Sequence, residues 1–447
     1  MQIPKISIDD RKNSFKEVEI GFNEEQAMRE ANRCLNCKEP KCVEGCPARV
    51  NIPAFIKAFK EGRLQDAAEI IREKNFFPSI CGRICQHEKQ CEGSCILSKT
   101  KEGPINIGGL ERFIGDKASL PEGRKLNGKK VAIIGSGPSG LTAAAYLALE
   151  GLNVSVFEVS NSFGGVIKYG VPEFRLPKET VSRELTMLHE LGIDFEPNSK
   201  IAEESIEELS KKFDVVFVGT GVGSSKKLNI LGADLKGIVS AMKFLVNLNQ
   251  NNVPLVSPGE KVVVIGAGYV GIDAARSAIR LGAKVDCITI SKREDAEKSV
   301  SPKDYLEAEE EGVNFLFGYS VDKFESSENN EKVSKVCYTN GEKGFIEVDK
   351  VIVAIGQEHD KDEVKKPLRD IENGCIEVNK KNQTKIKNVF AAGDCVHGPK
   401  TVIEAIAKGR DAAREMIAYL KKIDEEKDLK EQKDLIESEL AKNKEKE

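Results

Sequence analysis

The sequence predicts an α/β protein in which a helical N-terminal domain precedes two Rossmann-like domains, the second inserted in the first. Three observations support this fold class. Eight of the twelve cysteines lie between Cys34 and Cys95, in a region whose apolar residues recur at helical spacing. Two glycine-rich loops, starting at Gly135 and Gly266, each follow a short apolar strand and open a helix, which is an internal repeat of one fold. After the second repeat, residues 388–394 form a strand ending in Gly-Asp that returns the chain to the first repeat.

The composition is that of an ordinary soluble protein of two or three domains. The 447 residues are 40% hydrophobic and 31% charged, with a net charge of −4 that offers no basic surface for nucleic acid. The N-terminus lacks the layout of a secretory signal, and no apolar run approaches the roughly 18–20 residues that cross a bilayer. We therefore expect a cytoplasmic protein without membrane contact, in which clustered cysteines are metal ligands or redox groups.

Residues 1–124 are predicted to be helical. Asn23 is the predicted N-cap of a helix that runs directly into Cys34. The stretches 52–59 and 64–72 carry apolar residues at helical spacing and are predicted to be the next helices.

The two repeats give the remaining domain boundaries. Each reads strand, glycine loop, helix and strand: residues 130–135, 141–149 and 153–158 in the first repeat, and residues 261–266, 272–280 and 284–290 in the second. Strands 215–221 and 351–356 each end in a glycine and are interpreted as the crossings between domains. The predicted domains are 125–224 with 356–420, and 225–355; the charged tail 421–447 is predicted to be a solvated helix or disordered.

The cysteine spacing indicates iron–sulfur clusters. Cys34, Cys37, Cys42 and Cys46-Pro47 follow C-x2-C-x4-C-x3-C-Pro, close to a ferredoxin pattern whose fourth cysteine binds a second cluster. Cys46 is therefore predicted to leave the first cluster and to help hold another, for which four later cysteines are available as ligands: Cys81, Cys85, Cys91 and Cys95.

Other interpretations of these cysteines remain open. Zinc accepts four cysteines per site, and clustered thiols can also remain unligated. His87 is interpreted as a flanking polar residue in preference to a ligand. Cys287, Cys337 and Cys375 stand singly and are predicted to be packing residues.

The two glycine loops predict two dinucleotide sites. Their glycines allow a tight turn and a close approach of backbone N–H groups to a pyrophosphate at a helix N-terminus. Glu158 stands at the end of the next strand of the first repeat, where a carboxylate suits the ribose hydroxyls of FAD and repels a 2′-phosphate. Lys292 and Arg293 stand in the equivalent place in the second repeat, so NADP(H) is predicted there. A basic surface turn softened by nearby acids is the alternative.

Further flavin contacts are predicted near the end of the chain. Gly393 and Asp394 follow a strand, with Asp394 reaching the ribityl chain, and a helix from Thr401 directs its N-terminus at the flavin ring. A tight strand-to-helix turn is the alternative. The predicted FAD-binding residues are Gly135, Gly137, Pro138, Ser139, Gly140, Glu158, Gly165, Gly393, Asp394 and Thr401. The predicted NADPH-binding residues are Gly266, Gly268, Tyr269, Val270, Gly271, Lys292, Arg293 and Gly356.

No paired C-x2-C or C-x4-C stands in either flavin-domain segment, so the dithiol of a disulfide reductase is absent from the sequence there. Hydride transfer to the flavin also needs no protein nucleophile, and no catalytic side chain is predicted. The N-terminal clusters are therefore predicted to accept the electrons from the flavin.

With these motifs in place, the chain resembles the small (beta) subunit of NADPH-dependent glutamate synthase over nearly its whole length. It is also similar to the large subunit of the bifurcating NADH-dependent ferredoxin:NADP oxidoreductase and to the N-terminal half of dihydropyrimidine dehydrogenase. The motifs that carry the resemblance are Arg33-Cys-Leu-Asn-Cys37, Cys42-Val-Glu-Gly-Cys-Pro47, Cys91-Glu-Gly-Ser-Cys95, Gly103-Pro-Ile-Asn-Ile-Gly109, the stretch from Gly164 to Pro177, and Ala392-Gly-Asp394.

The resemblance implies ligands for two [4Fe-4S] clusters. One would be held by Cys34, Cys37, Cys42 and Cys95, and the other by Cys46, Cys85, Cys91 and Glu111, which leaves Cys81 unligated. It also implies that the loop 164–177 covers the flavin, the alternative being a proline-pinned surface loop.

The function that the resemblance implies is an NADPH-oxidising FAD and iron–sulfur oxidoreductase that relays single electrons to a large partner subunit of glutamate synthase. The chain lacks an N-terminal cysteine nucleophile, because residue 2 is Gln2, and so requires that partner to make glutamate. The alternatives are a bifurcating transhydrogenase subunit with a small flavoprotein partner, an electron-input subunit of dihydropyrimidine dehydrogenase, and a non-catalytic binding module.

Overall fold

The computed structural model describes residues 2–119, 124–326, 331–359, 368–369 and 374–444, with side chains in the final helix described up to residue 437. Residues 445–447 of the predicted tail lie outside this part of the chain. No helix in these ranges is both long and apolar enough for a bilayer crossing.

The N-terminal region is helical, as predicted. Its helices are α1 (Ile8–Asn13), α2 (Glu24–Asn32), α3 (Lys41–Gly45), α4 (Ile52–Lys60), α5 (Leu64–Arg72), α6 (Pro78–Ile84) and α7 (Ile107–Lys117). Asn23 caps α2 in a capping box: its side-chain oxygen accepts from the Gln26 N–H, and the Gln26 side chain accepts from the Asn23 N–H. The predicted N-cap is therefore confirmed.

The first parallel sheet begins after residue 124. Its elements are β1 (Lys130–Ile134), α8 (Pro138–Leu149), β2 (Asn153–Phe157), α9 (Val166–Tyr169), α10 (Lys178–Glu190), β3 (Asp194–Glu196), α11 (Ile206–Ser210) and β4 (Val215–Val218). Helix α8 begins three residues before its predicted start. Gly137 occupies the N-cap and Pro138 the first helical position, where its missing N–H is not needed.

The inserted region follows. Its elements are β5 (Ser224–Ser225), β6 (Ile238–Ser240), α12 (Ala241–Asn249), β7 (Lys261–Ile265), α13 (Tyr269–Arg280), β8 (Lys284–Thr289), α14 (Arg293–Ser299), α15 (Pro302–Glu311), β9 (Asn314–Phe317), β10 (Ser320–Ser326), β11 (Val333–Thr339), β12 (Lys343–Glu347), β13 (Lys350–Val353) and β14 (Gln357–Glu358).

The chain then returns with β15 (Val389–Ala391), α16 (Asp394–His397) and α17 (Val402–Lys444). Strand β15 pairs in parallel with β4, so the first sheet has the order β15-β4-β1-β2-β3 and incorporates a strand from beyond the insertion. The second sheet has the order β6-β13-β7-β8-β9, and β10–β12 form a separate antiparallel sheet.

The two crossings between the sheets lie side by side, because β5 and β14 pair antiparallel. The central strands β1 and β7 are apolar and buried from their second residue onward, as in parallel sheets covered on both faces. The N-terminal helices share one continuous hydrophobic core with a face of the first sheet, whereas the second sheet has its own core. The helical domain therefore packs as part of the first repeat.

Helix α17 continues through the predicted tail. Buried side chains occur along this helix up to Leu420, and the side chains of residues 425–437 are exposed. Of the two alternatives for the tail, the structure shows the helix over the residues that it describes.

Candidate functional site

A cavity of about 2490 Å³ lies where the two sheets face each other. The first glycine loop, the end of β2, the crossings and the start of α17 form its walls, together with one turn of α13. In parallel α/β sheets ligands bind outside the carboxyl ends of the strands, and this cavity occupies that place for the first sheet.

The first glycine loop has the backbone geometry of an anion site. Gly135 has φ +96°, and a Cβ there would come 2.6 Å from the carbonyl oxygen of Gly219, so glycine is required. Gly137 caps α8 without a side-chain hydrogen bond. The Ser139 hydroxyl is buried and has no hydrogen-bond partner among the described residues, although Ser139 lines the cavity. Unsatisfied donors at an uncapped helix N-terminus fit the pyrophosphate of a dinucleotide.

Glu158 lies beside this loop and is 5% exposed. Its carboxylate accepts hydrogen bonds from the Ser136 N–H (2.9 Å), the Ser136 hydroxyl (2.6 Å) and the Ser160 N–H (2.9 Å). These bonds fix the carboxylate on the cavity wall, where it fits the adenosine ribose of a flavin dinucleotide.

The second glycine loop has the same backbone geometry. Gly266 has φ +102°, and a Cβ there would come 2.4 Å from the carbonyl oxygen of Ala354. Gly268 caps α13 without a side-chain bond, and a Cβ there would meet nothing within 4 Å. Tyr269 and Val270 line the large cavity. The loop therefore has the open approach that a second dinucleotide requires.

The two predicted 2′-phosphate residues lie beyond β8, at the start of α14, and outside the lining of the cavity. Lys292 is exposed and occupies the N-cap of α14. The Arg293 guanidinium is bound by Glu297 (2.8 Å) and by both carboxylate oxygens of Glu309 (2.6 and 3.1 Å). Its charge is therefore largely neutralised by carboxylates, which is closer to the alternative of a basic surface turn softened by acids.

The predicted flavin contacts near the end of the chain reach the same cavity. Asp394 and Thr401 line it, and burial raises the pKa of Asp394 to about 6. Thr401 forms a capping arrangement with Glu404, whose carboxylate accepts from the Thr401 hydroxyl (2.6 Å). Gly393, with φ +87°, lies against Ser139 of α8.

The remaining predicted residues divide between the cavity and its surroundings. Gly165 lines the cavity, as do Val166, Tyr169 and Arg175 of the same loop. The predicted residues that do not line it are Gly140, Gly266, Gly268, Gly271, Lys292, Arg293, Gly356 and Gly393.

Four cysteines of the helical domain lie close enough for two of them to be affected by the others. Burial raises the pKa of Cys42 to about 12, with smaller contributions in the same direction from the neighbouring Cys95 and Cys34. Burial also raises the pKa of Cys34, with smaller contributions from Cys37 and Cys95. These residues are the set that the resemblance implies for the first cluster.

A second group gathers around Glu111. Burial raises the pKa of Cys46 to about 11, and the Glu111 carboxylate is among the groups that contribute to this rise. Glu111 also acts on Cys85 and Cys91. Burial raises the pKa of Glu111 itself to about 7. Burying several ionisable groups together is costly unless a cation compensates their charge. This buried set of three thiols and a carboxyl therefore fits an iron centre better than it fits unligated thiols.

Within the described ranges no three His, Cys, Asp or Glu side chains are close enough to share a single metal ion.

Asn75 organises the second group and was missed in the sequence. Its Nδ2 donates to Glu111 Oε1 (2.7 Å), and its Oδ1 accepts from the Cys81 thiol (3.5 Å) and the Phe77 N–H (3.1 Å). Cys81 is thus a hydrogen-bonded, fully buried thiol. No sequence signal distinguishes this asparagine from a turn residue.

Residues 84–86, including Cys85, line the same cavity as the first glycine loop. The second cysteine group therefore borders the space in which a dinucleotide would lie. The His87 ring packs against Gly108, and its Nε2 is buried without a partner among the described residues. Of the single cysteines, Cys287 is buried in β8, Cys337 is half-buried in β11, and Cys375 lies 3.6 Å from His359 Nε2.

Comparison with known protein families matches two consecutive parts of the chain separately. A family described as "Dihydroprymidine dehydrogenase domain II, 4Fe-4S cluster" matches residues 11–122. The family "Pyridine nucleotide-disulphide oxidoreductase" matches residues 129–409.

Several relatives match nearly the whole chain. The glutamate synthase [NADPH] small chain of Azospirillum brasilense is 34% identical over 92% of this chain and 93% of its own length. That of Escherichia coli K12 is 34% identical over 93% of this chain and 96% of its own length. The NAD-dependent dihydropyrimidine dehydrogenase subunit PreT of Escherichia coli O157:H7 is 32% identical over 92% of this chain and 98% of its own length.

Solved structures share the fold at lower identity. FprA of Mycobacterium tuberculosis, in complex with NADPH, has a TM-score of 0.54 and 20% identity over 67% of this chain and 86% of that chain. Lactococcus lactis thioredoxin reductase has a TM-score of 0.52 and 19% identity over 66% of this chain and 99% of that chain. This chain therefore belongs to the family of the glutamate synthase small chain, with a 4Fe-4S domain ahead of a pyridine nucleotide-disulphide oxidoreductase region.

Proposed function

We propose that this chain is the electron-input subunit of a cytoplasmic glutamate synthase. It oxidises NADPH and delivers electrons to a large partner subunit that converts glutamine and 2-oxoglutarate into two glutamates. Membership of the small-chain family and the full-length match to two such chains support this function.

One observation carries the proposal. Cys85 and its neighbours line the same cavity as Gly135, Glu158 and Tyr269, so a cysteine of the second group meets both dinucleotide loops in one space. When bound, FAD would supply two-electron chemistry towards NADPH and one-electron chemistry towards two [4Fe-4S] clusters.

The protein's own residues bind and orient these groups. The uncapped N-termini of α8 and α13 present backbone N–H groups to the two pyrophosphates. Glu158 would bind the flavin ribose, and the two cysteine groups would hold the clusters, with Glu111 as the non-cysteine ligand. Cys85 is the sole cysteine among the described residues that line the cavity.

An anaerobic titration tests the electron path. Purified protein loaded with flavin and iron should lose its flavin absorbance with NADPH, and its cluster absorbance should then fall. NADH should act more weakly. Protein that binds flavin and iron but is not reduced by either coenzyme would contradict the proposal.

A matched pair of cysteine variants tests the ligand assignment. Cys85→Ser should lose iron and the absorbance of one cluster. Cys81→Ser, altered one turn earlier on the same helix, should keep the iron content of the wild type, because Cys81 is hydrogen-bonded to Asn75. Equal iron loss in both variants would reject the assignment.

The partner decides the final product. Adding the large subunit of a glutamate synthase should give glutamate formation that depends on NADPH, with the large subunit alone as the control. No complex and no glutamate would leave the chain an oxidoreductase with another acceptor.

A second candidate follows from the PreT match, which covers 98% of that relative. In this alternative the chain feeds electrons to a pyrimidine-reducing subunit. A dihydropyrimidine product and a preference for NADH would identify it. The bifurcating transhydrogenase alternative stays a prediction, tested by whether a small flavoprotein co-purifies.

A further inference from the structure

Helix α17 connects the cavity to the helical domain. Its first residues, Val402 and Ile403, line the cavity. About two turns later Arg410 is only 6% exposed and extends into the N-terminal helices. A buried arginine at such a junction needs partners for its whole guanidinium group.

Arg410 finds those partners in two separate backbone segments. Its Nη1 donates to the carbonyl oxygens of Ala48 (2.8 Å) and Lys74 (3.1 Å). Its Nε and Nη2 donate to Asp411 (3.0 and 2.7 Å), which fixes the plane of the guanidinium group. One side chain therefore fastens two loops that are distant in the sequence.

Both loops adjoin the second cysteine group. Ala48 follows Cys46 by two residues, and Lys74 immediately precedes Asn75, the residue that binds Glu111 and Cys81. Arg410 therefore holds the backbone next to Cys46 and the backbone next to Asn75.

Helix α17 also contacts α8, the helix that follows the first glycine loop. A Cβ at Gly409 would come 2.2 Å from the carbonyl oxygen of Ser139, so α17 lies directly against the first turn of α8. Arg410 is thus held at a set place relative to the flavin cavity.

We propose that Arg410 is a positioning residue, which sets where the second cysteine group lies relative to the flavin. This inference rests on the proposed passage of electrons from flavin to clusters. Arg410 touches neither group and acts through the backbone of residues 48 and 74.

The chain provides a matched control for the charge of Arg410. Arg414 lies one turn further along α17 and makes a single long bond to the Glu73 carbonyl oxygen (3.4 Å). Both arginines lower the pKa of Lys74, after the larger effect of burial. Arg414→Ala therefore removes a similar charge without releasing the two loops.

The experiment uses anaerobic protein carrying flavin and iron, mixed rapidly with NADPH. In Arg410→Ala, the rate of flavin reduction should match the wild type, whereas cluster reduction should be roughly tenfold slower or more, because small misplacements have large kinetic effects. The paramagnetic resonance spectrum of the reduced protein should also change. Arg414→Ala should resemble the wild type in all three readouts.

Arg410→Lys keeps the charge and most of the stem but loses the fork, so it should recover only part of the cluster-reduction rate. It also decides the question if the alanine variant fails to fold. Cluster reduction within twofold of the wild type in Arg410→Lys and Arg410→Ala, with unchanged spectra, would overturn the proposal, as would an equal loss in Arg414→Ala.

Failure of the proposed function gives a different result. If the wild type itself is not reduced by NADPH, the electron path is wrong. The paramagnetic resonance spectra of dithionite-reduced wild type and Arg410→Ala then still show whether Arg410 sets the geometry of the second group. Different spectra support the positioning role, and identical spectra refute it.

Discussion

The two glycine loops of this molecule are nearly the same in backbone and different in their side-chain surroundings. Gly135 and Gly266 both have positive φ and both lie against a carbonyl oxygen of a neighbouring strand end. Gly137 and Gly268 both cap a helix without a side-chain bond. The shared backbone explains why both loops suit a pyrophosphate.

The strand that follows each loop makes the difference. After β2, Glu158 is buried and held by three donors on the cavity wall. After β8, Lys292 and Arg293 lie at the surface, and carboxylates already bind Arg293. The comparison teaches that the loop provides the phosphate site, whereas the end of the next strand distinguishes one dinucleotide from another.

The largest expected effect distinguishes two glycines of the second loop, Gly266, where a side chain does not fit, and Gly268, where it does. Gly266→Ala should destabilise the protein by at least about 1–3 kcal/mol, because alanine at positive φ is strained and its Cβ meets Ala354. Gly268→Ala, with open space around its Cβ, should leave the melting temperature unchanged and raise the KM for NADPH. Equal melting temperatures in both variants would break the comparison.

The next effect concerns Glu158. Glu158→Gln replaces one acceptor oxygen by an amide that faces N–H donors, so flavin affinity should fall roughly 10–100-fold through the loss of hydrogen bonds to a charged group. Flavin content after dialysis measures this. Glu196→Gln, an exposed change at the end of the adjacent strand β3, serves as the control and should retain its flavin.

A smaller effect is expected at the end of β8. Lys292→Ala should weaken NADPH binding by about 1 kcal/mol, roughly fivefold, and leave NADH unchanged. Arg293→Ala should have less than half of that effect, because Glu309 and Glu297 already bind the guanidinium. Coenzyme titrations at one salt concentration test both, and a larger effect at Arg293 would reverse the assignment.

The last effect is a pH dependence in the first repeat. Burial raises the pKa of Asp394 to about 6, above its value in the unfolded chain. The stability that the protonated form provides is complete below about pH 4 and is lost as the pH rises through about 6. In denaturant unfolding of the flavin-free protein, the free energy of unfolding should therefore decline less between these pH values in Asp394→Asn than in the wild type. The exposed change Asp194→Asn should leave that decline as in the wild type.

Much of the fold could be predicted because its signals are local. Apolar runs defined β1 and β7, Asn23 defined the start of α2, and the glycine spacing located both loops. The exact helix starts could not be predicted in this way, because Gly137 and Gly268 act as caps and the helices begin three residues early.

The sequence by itself determined the two glycine loops, the two strands that open them and the clustering of the cysteines. Only the tertiary structure decided which groups meet: Asn75 binds Glu111 across 36 positions, and Arg410 binds the Ala48 carbonyl oxygen across 362. Likewise, only packing brought Glu309 onto Arg293 and cancelled a charge that the local pattern presents as available. The physical reason is that backbone conformation follows from neighbouring residues, whereas charge pairing and ligand geometry depend on contacts between distant parts of the chain.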